Sequence, residues 1–333
     1  MGASNETLFE AYLKQHDDHA WAAVIRDLLP FIHDVDKNAT EIWFYFYPLR
    51  LARALAEAED ADQLAKKLLM QGSYYLKDQI ETSHRFLYGH RYWAEVKESV
   101  AGYAVSDKAP ASLQLATQIR EVASQVAARV KAEPSLAVGI TAVAFMTLRQ
   151  VGIAAFKASP GVARAARKKS PEQILRERAR DDGQGLFGFL RGEEKIYTVT
   201  FDETDESAKF KLINSQHLTT AAAEDKRDHS RRDARCKSDE GPIPVECRSA
   251  SCGTCWVGVL GGAEKLSEVA SLERRRIKEF GYIDTAEPKP VIRLACQAQA
   301  YGAVSIVIPP WNGVFGKHLD GQKEAERRAK AQN

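Results

Sequence analysis

Cys247, Cys252, Cys255 and Cys296 are the residues of this chain whose type and spacing point most directly to chemistry. The first three follow C-x4-C-x2-C, and forty residues separate Cys255 from Cys296. A binuclear [2Fe-2S] cluster needs four thiolates on two irons, three offered by one tight loop and the fourth by a distant strand end. The spacing meets that need. Structural zinc is the alternative, but it normally uses two C-x2-C knuckles or one knuckle with a histidine pair. Only Cys252-x-x-Cys255 forms such a knuckle, and His229 and His318 stand alone, which also disfavours a centre with two histidine ligands. Unligated thiols are the remaining reading.

The loop composition agrees with the cluster. Between Cys247 and Cys255 stand Arg248, Ser249, Ala250, Ser251, Gly253 and Thr254, all small except Arg248. Small residues let backbone N–H groups approach the sulfurs of an anionic centre, and Gly253 is free to take a positive φ.

Three pieces in order, Gly241-Pro242-Ile243-Pro244 leading into the cysteine loop, Arg293-Leu294-Ala295-Cys296-Gln297, and Ser305-Ile306-Val307-Ile308-Pro309, resemble the plant-type ferredoxin family, broadly taken, over roughly residues 194–310. The resemblance implies a β-grasp fold carrying one electron at low potential, about −400 mV for plant-type members. The long spacer before Cys296 is closer to the adrenodoxin-like branch, whereas four residues between the first two cysteines is the plant-type spacing.

The flanking residues support the same architecture. Tyr197, Val199 and Phe201 alternate with polar positions, as do Phe210 and Leu212, which predicts a hairpin of two half-buried strands. Thr219 or Thr220 is placed to cap a short helix, Trp256 to Leu260 and Val304 to Ile308 read as further strands, and Ser271 opens a helix that Gly281 ends. That helix carries Arg274, Arg275, Arg276 and Lys278, a solvated face or a docking surface for an acidic partner.

The rest of the chain is helical by periodicity. Trp21, Val24, Leu28, Phe31 and Ile32 share one face, as do Leu115, Ile119, Val122, Val126 and Val130, and Pro48 is placed to end a helix. The fold class expected is α+β: an all-α bundle over 1–160, a charged linker over 161–193, a β-grasp [2Fe-2S] ferredoxin-like domain over 194–312, and a charged tail over 313–333 whose last dozen residues are a frayed helix or disordered. Glu81-x-x-His84 has the spacing of di-iron carboxylate bundles, but a second copy is absent; His16 and His19 read as neighbours on one face, and His84 and His90 as poor co-ligands from one helix. The stretch Ser83 to Trp93 is rich in aromatic and cationic side chains and is the place to look for a ligand. Residues 136–148 carry no charge but are too few to span a bilayer, and extending the stretch to 156 buries Arg149. A buried or interfacial helix is the reading, and peripheral membrane association through 136–169, with Arg164, Arg167, Lys168 and Lys169, is the alternative left open.

A net charge of +2 and no recognisable motif argue against nucleic acid. Five cysteines, four of them in the pattern, suit a reducing compartment, and Cys236 reads as an inert free thiol in a polar loop. The acidic N-terminus, with Glu6 and Glu10, has no apolar signal core, so the expected location is cytoplasmic. The residues together imply an electron-transfer protein that needs a reductase and an acceptor, with a helical half that docks it to a partner or a membrane. A redox sensor, or an oxidoreductase component with a second cofactor in the helices, are the competing readings.

Overall fold

Apolar residues three and four apart build the N-terminal helices, and polar residues at their ends decide where each begins. In the computed structural model, which describes residues 6–106, 114–161, 169–180, 195–282 and 285–332, contacts divide the chain into two units. One comprises residues 1–52 and 75–174; the other comprises 53–74 and 175–333. The sequence reading divides the chain once, near 160, whereas residues 53–74 group with the C-terminal stretch.

The first unit holds α1 (Leu8–Lys14), α2 (Asp18–Leu28), α3 (Asp34–Phe46) and the start of α4 (Leu49–Glu57). Thr7 and Glu10 cap α1 reciprocally, Asp17 caps α2, and Pro48 separates α3 from α4 as its missing N–H requires. After α5 (Ala61–Lys67), which belongs to the second unit, come α6 (Trp93–Ala104), α7 (Leu115–Val130) and α8 (Ser135–Ala158). Helix α8 is the core of the bundle. Its Val138, Ile140, Val143, Phe145, Met146 and Leu148 are buried, each contributing about 1.5–3 kcal/mol by leaving water. It is long and apolar enough to cross a membrane, but 78% of its apolar window is covered by protein. At Gly152 the backbone leaves the helix (φ 81°, ψ 157°), and the freed Ile153 N–H donates to Glu10 Oε1 at 2.7 Å. Arg164, Arg167 and Lys168 lie outside the described residues.

The second unit is built on a five-stranded mixed sheet in the order β3-β2-β6-β4-β5. Its strands are β2 (Ile196–Thr200), β3 (Lys209–Ile213), β4 (Trp256–Gly261), β5 (Ile292–Leu294) and β6 (Val304–Val307). The expected hairpin forms, with Tyr197 opposite Leu212 and Val199 opposite Phe210, and both strands bury alternate residues. Strand β6 runs parallel to β2 and antiparallel to β4, with a bulge between Val259 and Gly261. The short helix α10 (Leu218–Ala222) starts earlier than expected, with His217 at its N-cap and no side-chain capping bond from a threonine. Helix α9 (Pro171–Ala179) joins through the buried Arg178–Glu203 pair at 2.7 Å. Helix α11 (Ser271–Glu279) ends at Phe280 and Gly281 as expected.

The chain after Trp311 is helical, the helix being one of the two states expected at its end. It forms α12 (Gly316–Gln332), anchored by buried Phe315 and Leu319. Strand β1 (Gln71–Gly72) pairs antiparallel with β7 (Trp311–Asn312), and the Val314 N–H donates to the Leu68 carbonyl at 2.7 Å. A helical N-terminal half and a mixed-sheet C-terminal region make the fold α+β.

Candidate iron-sulfur centre

The loop from Cys247 to Cys255 folds back on itself because three of its residues take left-handed backbone: Arg248 (φ 53°), Ala250 (φ 61°) and Gly253 (φ 70°). Gly253 is held to glycine twice over, since a Cβ there would also come within 3.0 Å of the Phe280 ring. The folding turns amides inward. Ser249, Ser251 and Cys252 donate their N–H groups to Cys247 Sγ at 3.4, 3.2 and 3.4 Å. Gln297 Nε2 donates to Cys296 Sγ at 3.4 Å, and the Ala250 N–H also reaches that sulfur.

Cys296 is brought in by the sheet. Strand β5 pairs with β4 so that Leu294 lies opposite Trp256, and the Ala295 N–H donates to the Cys255 carbonyl at 2.9 Å. Behind β5 the side chains of Arg293 and Glu273 form an ion pair with 0% exposure on both sides, at 2.9 and 3.0 Å. Glu273 Oε1 also accepts the Leu294 N–H at 2.8 Å, and Arg293 Nη1 reaches the Ser267 carbonyl at 2.7 Å. This carboxylate therefore ties α11 to the strand that delivers the fourth cysteine.

The sulfurs gather as two pairs. Cys247 interacts with Cys252, and Cys255 with Cys296. Burial pushes the Cys247 thiol up, but the amides of Ser249 and Cys252 and the Cys252 thiol outweigh it and bring it down to about 6. The Cys255 thiol lowers Cys296 to about 7 against the effect of burial, while Cys255 itself is driven well up by that same bond and by burial. Cys252 is raised by burial. Each pair thus has one sulfur in an environment that favours thiolate, and charge on Cys252 is felt at Cys255 and charge on Cys247 at Cys296. Among the described residues no three His, Cys, Asp or Glu side chains gather as a single metal ion would require. Two adjacent pairs suit two irons better than one tetrahedral zinc, and inward amides suit an anionic centre.

Residues 218–301, a stretch containing all four cysteines, match the family of 2Fe-2S iron-sulfur cluster binding domains. The chain carries a [2Fe-2S] cluster domain of the ferredoxin type. No solved structure matches the chain. Around the ferredoxin-type domain's cysteine loop, two features escaped the sequence reading. Glu273 reads as one charge in a polar run, yet Glu273, Ile277 and Phe280 stand at i, i+4 and i+7, and a carboxylate on that apolar stripe is the signal for a buried partner. The other is Gln71, whose Nε2 donates to Glu246 Oε1 at 3.4 Å while Thr254 Oγ1 donates to Glu246 Oε2 at 3.3 Å. No local pattern foretells a contact 175 residues apart.

The fifth cysteine lies apart. Cys236 is 6% exposed, and burial, followed by the Asp233 carboxylate, pushes its thiol up to about 12 despite Arg235 and Arg232 nearby. The basic neighbours do not activate it.

In the helical unit, His16 follows the end of α1 and His19 lies in α2, so the two do not share a helix face. His84 and His90 do meet, with their Nδ1 atoms 2.9 Å apart, because residues 81–87 form turns and 88–92 a 3-10 helix rather than one α-helix. His84 is fully buried, and its Nε2 bonds the Ile80 carbonyl at 3.0 Å, so both ring nitrogens are engaged within the protein. Burial, then the charge of His90, holds it well below the usual histidine range. Glu81 accepts from Trp93 Nε1 at 2.7 Å. The pair is a packed hydrogen-bonded cluster, and Glu81-x-x-His84 does not present a di-iron face.

Proposed function

We propose that this chain is a one-electron transfer protein in which Cys247 and Cys252 hold one iron of the [2Fe-2S] cluster and Cys255 and Cys296 hold the other. The observation that carries this reading is the pairing of the four sulfurs within a segment matching the cluster-binding family. When bound, the cluster takes up and gives back one electron and makes or breaks no substrate bond. The amides of Ser249, Ser251 and Cys252 offset negative charge at Cys247, and Gln297 and the Ala250 amide do so at Cys296. Buried Trp256 and Phe280 keep water from the inner side of the loop, and the Glu273–Arg293 pair fixes the strand bearing Cys296.

We read the mixed sheet with α10 and α11 as a β-grasp fold of the plant-type or adrenodoxin-like kind. A reductase supplies electrons and an acceptor removes them, in a reducing compartment such as the cytoplasm, and the helical unit serves docking. The test is low-temperature EPR of anaerobically purified full-length protein before and after dithionite, with iron and sulfide measured on the same sample. A reduced S = ½ signal with two irons and two sulfides per chain is expected; zinc without a signal refutes the reading.

One observation favours a sensor as the second reading. Gln71, on a segment that interrupts the helical unit in sequence, bonds Glu246 beside Cys247. Amide exchange of residues 6–52 and 75–106 in the oxidised and reduced states separates the two, since a carrier leaves it unchanged.

A further inference from the structure

The helical unit buries two histidines that the cluster does not use, and their contact fixes where each carries its proton. The Ile80 carbonyl only accepts, so His84 Nε2, 3.0 Å from it, bears a hydrogen. A neutral ring has one such hydrogen, which leaves His84 Nδ1 bare, and the hydrogen between it and His90 Nδ1, 2.9 Å away, belongs to His90. Both side chains are buried. Burial first, then the charges of His90 and Arg85, oppose an imidazolium at His84.

The carboxylates of the neighbouring elements are engaged elsewhere. Glu81, in the same turn, accepts from Trp93 Nε1 at 2.7 Å and acts on Lys97 of α6, and Asp36 of α3 accepts the Tyr88 and Gly89 amides at 2.5 and 2.7 Å. Lys97 Nζ donates to the Ser159 carbonyl, Arg91 lies over the Tyr88 ring, and Lys77 and Asp78 of the 3-10 helix Leu76–Gln79 are exposed. Helix α8 brings no charge between 136 and 148.

A proton taken up by His84 has only Nδ1 to occupy, and there it meets the Nδ1–H of His90. The rings then keep their contact only if His90 loses that hydrogen or turns. Turning displaces packed neighbours: His84 lies 3.9 Å from the Trp93 ring, Trp93 meets Phe156 of α8 edge-on, and Gly89 is seated so closely on α8 that a Cβ would come within 2.9 Å of Ile140 and of the Leu136 carbonyl.

We propose that His84 and His90 form an acid-sensitive clasp: their Nδ1–H···Nδ1 bond seats residues 80–93 on α8 at neutral pH, and one proton taken up by the pair releases that segment while α7 and α8 stay folded. The clasp stands apart from the electron-transfer reading and does not depend on it. Because the folded pair holds fewer protons than the unfolded chain, whose histidines titrate at about pH 6.5, the stability it contributes is complete above that pH and is lost below it, by up to about tenfold in the opening equilibrium for each pH unit per proton.

The test uses the full-length protein with its cluster. Long-range nitrogen–proton correlation spectra of the histidine rings at about pH 7.5 are expected to show one ring protonated at Nε2 and one at Nδ1, identified as this pair because both signals change in His90→Asn. Hydrogen exchange read by mass spectrometry and corrected for the intrinsic rate then follows the Leu87 and His90 amides, which donate to the His84 and Leu87 carbonyls at 3.0 and 3.3 Å. Their opening is expected to rise about tenfold per pH unit below about pH 6.5, while α7 and residues 138–148 hold. His90→Asn keeps an N–H for His84 Nδ1 at neutral pH and can turn its oxygen to a protonated ring, so it retains the neutral-pH protection and loses most of the slope. Should that variant fail to fold, the wild-type tautomers and exchange slopes decide. Two rings of the same tautomer, exchange in residues 80–93 that does not rise in acid, a rise shared by α7 and α8, or a slope that survives His90→Asn overturns the proposal.

Discussion

Breaking the Glu273–Arg293 pair should loosen the iron-sulfur unit far more than removing both partners. Neither side chain is exposed, and the carboxylate accepts three hydrogen bonds, two from Arg293 and one from the Leu294 amide. Arg293→Met leaves Glu273 charged in a site without water, and Glu273→Leu leaves the guanidinium so; each is expected to cost about 3–5 kcal/mol. The double variant Glu273→Leu/Arg293→Met leaves neither charge stranded and loses the buried amide bond of Leu294 together with the part-buried bond from Arg293 to the Ser267 carbonyl, about 1–3 kcal/mol. The assay is the rate at which visible circular dichroism of the bound cluster disappears in a fixed urea concentration. If the pair forms after the folding transition state, 3 kcal/mol appears as a rate increase of about two orders of magnitude for each single variant, and the double variant bleaches more slowly than either. Single variants that bleach at the wild-type rate, or a double variant whose effect is the sum of the two, would refute the account of Glu273 as the tie between α11 and the strand carrying Cys296.

Cys236 should be inert in the folded protein: with its thiol pushed up to about 12, only about one molecule in ten thousand is thiolate at pH 8, so iodoacetamide labels it orders of magnitude more slowly than in urea. Because the folded value lies above the unfolded one, the stability this thiol contributes is complete below about pH 8.5 and is lost as pH rises towards 12; Cys236→Ala removes that part of the alkaline slope in urea titrations and leaves the EPR signal unchanged. In the helical unit, Gly152→Ala meets no close neighbour but must adopt φ 81°, ψ 157°, so it is expected to cost about 1–3 kcal/mol in thermal melts followed by far-ultraviolet circular dichroism.

Much of the ferredoxin-type unit is legible in the sequence because its signals are local. Alternation at Tyr197, Val199, Phe210 and Leu212 yields the hairpin, cysteine spacing and small residues yield the loop, and Gly281 marks the end of α11. What is hidden depends on distant chain. His84 and His90 look incompatible at helical spacing and meet only because turns replace the helix between them. The uncharged stretch 136–148 reads as a buried or interfacial helix but does not say what covers it, and in the fold 78% of its apolar window is covered by protein. The run of cations on α11 looks uniformly solvated, although Glu273 within it is buried against Arg293 and Arg276 is paired with Glu279.

The pairing of β1 with β7 also governs when this unit can finish folding. Gln71 leaves the ribosome 241 residues ahead of Asn312, the residue opposite it. At synthesis rates of about 5–20 residues per second, the 53–74 stretch waits roughly 10–50 s for its strand partner, with Leu68 and Met70 uncovered meanwhile. Cutting the chain at any single point yields a fragment that either lacks this stretch or drags helical sequence with it. A gene fragment beginning near residue 194 would therefore produce a nascent chain with a permanently unpaired edge at Trp311 and Asn312, prone to association before any iron arrives.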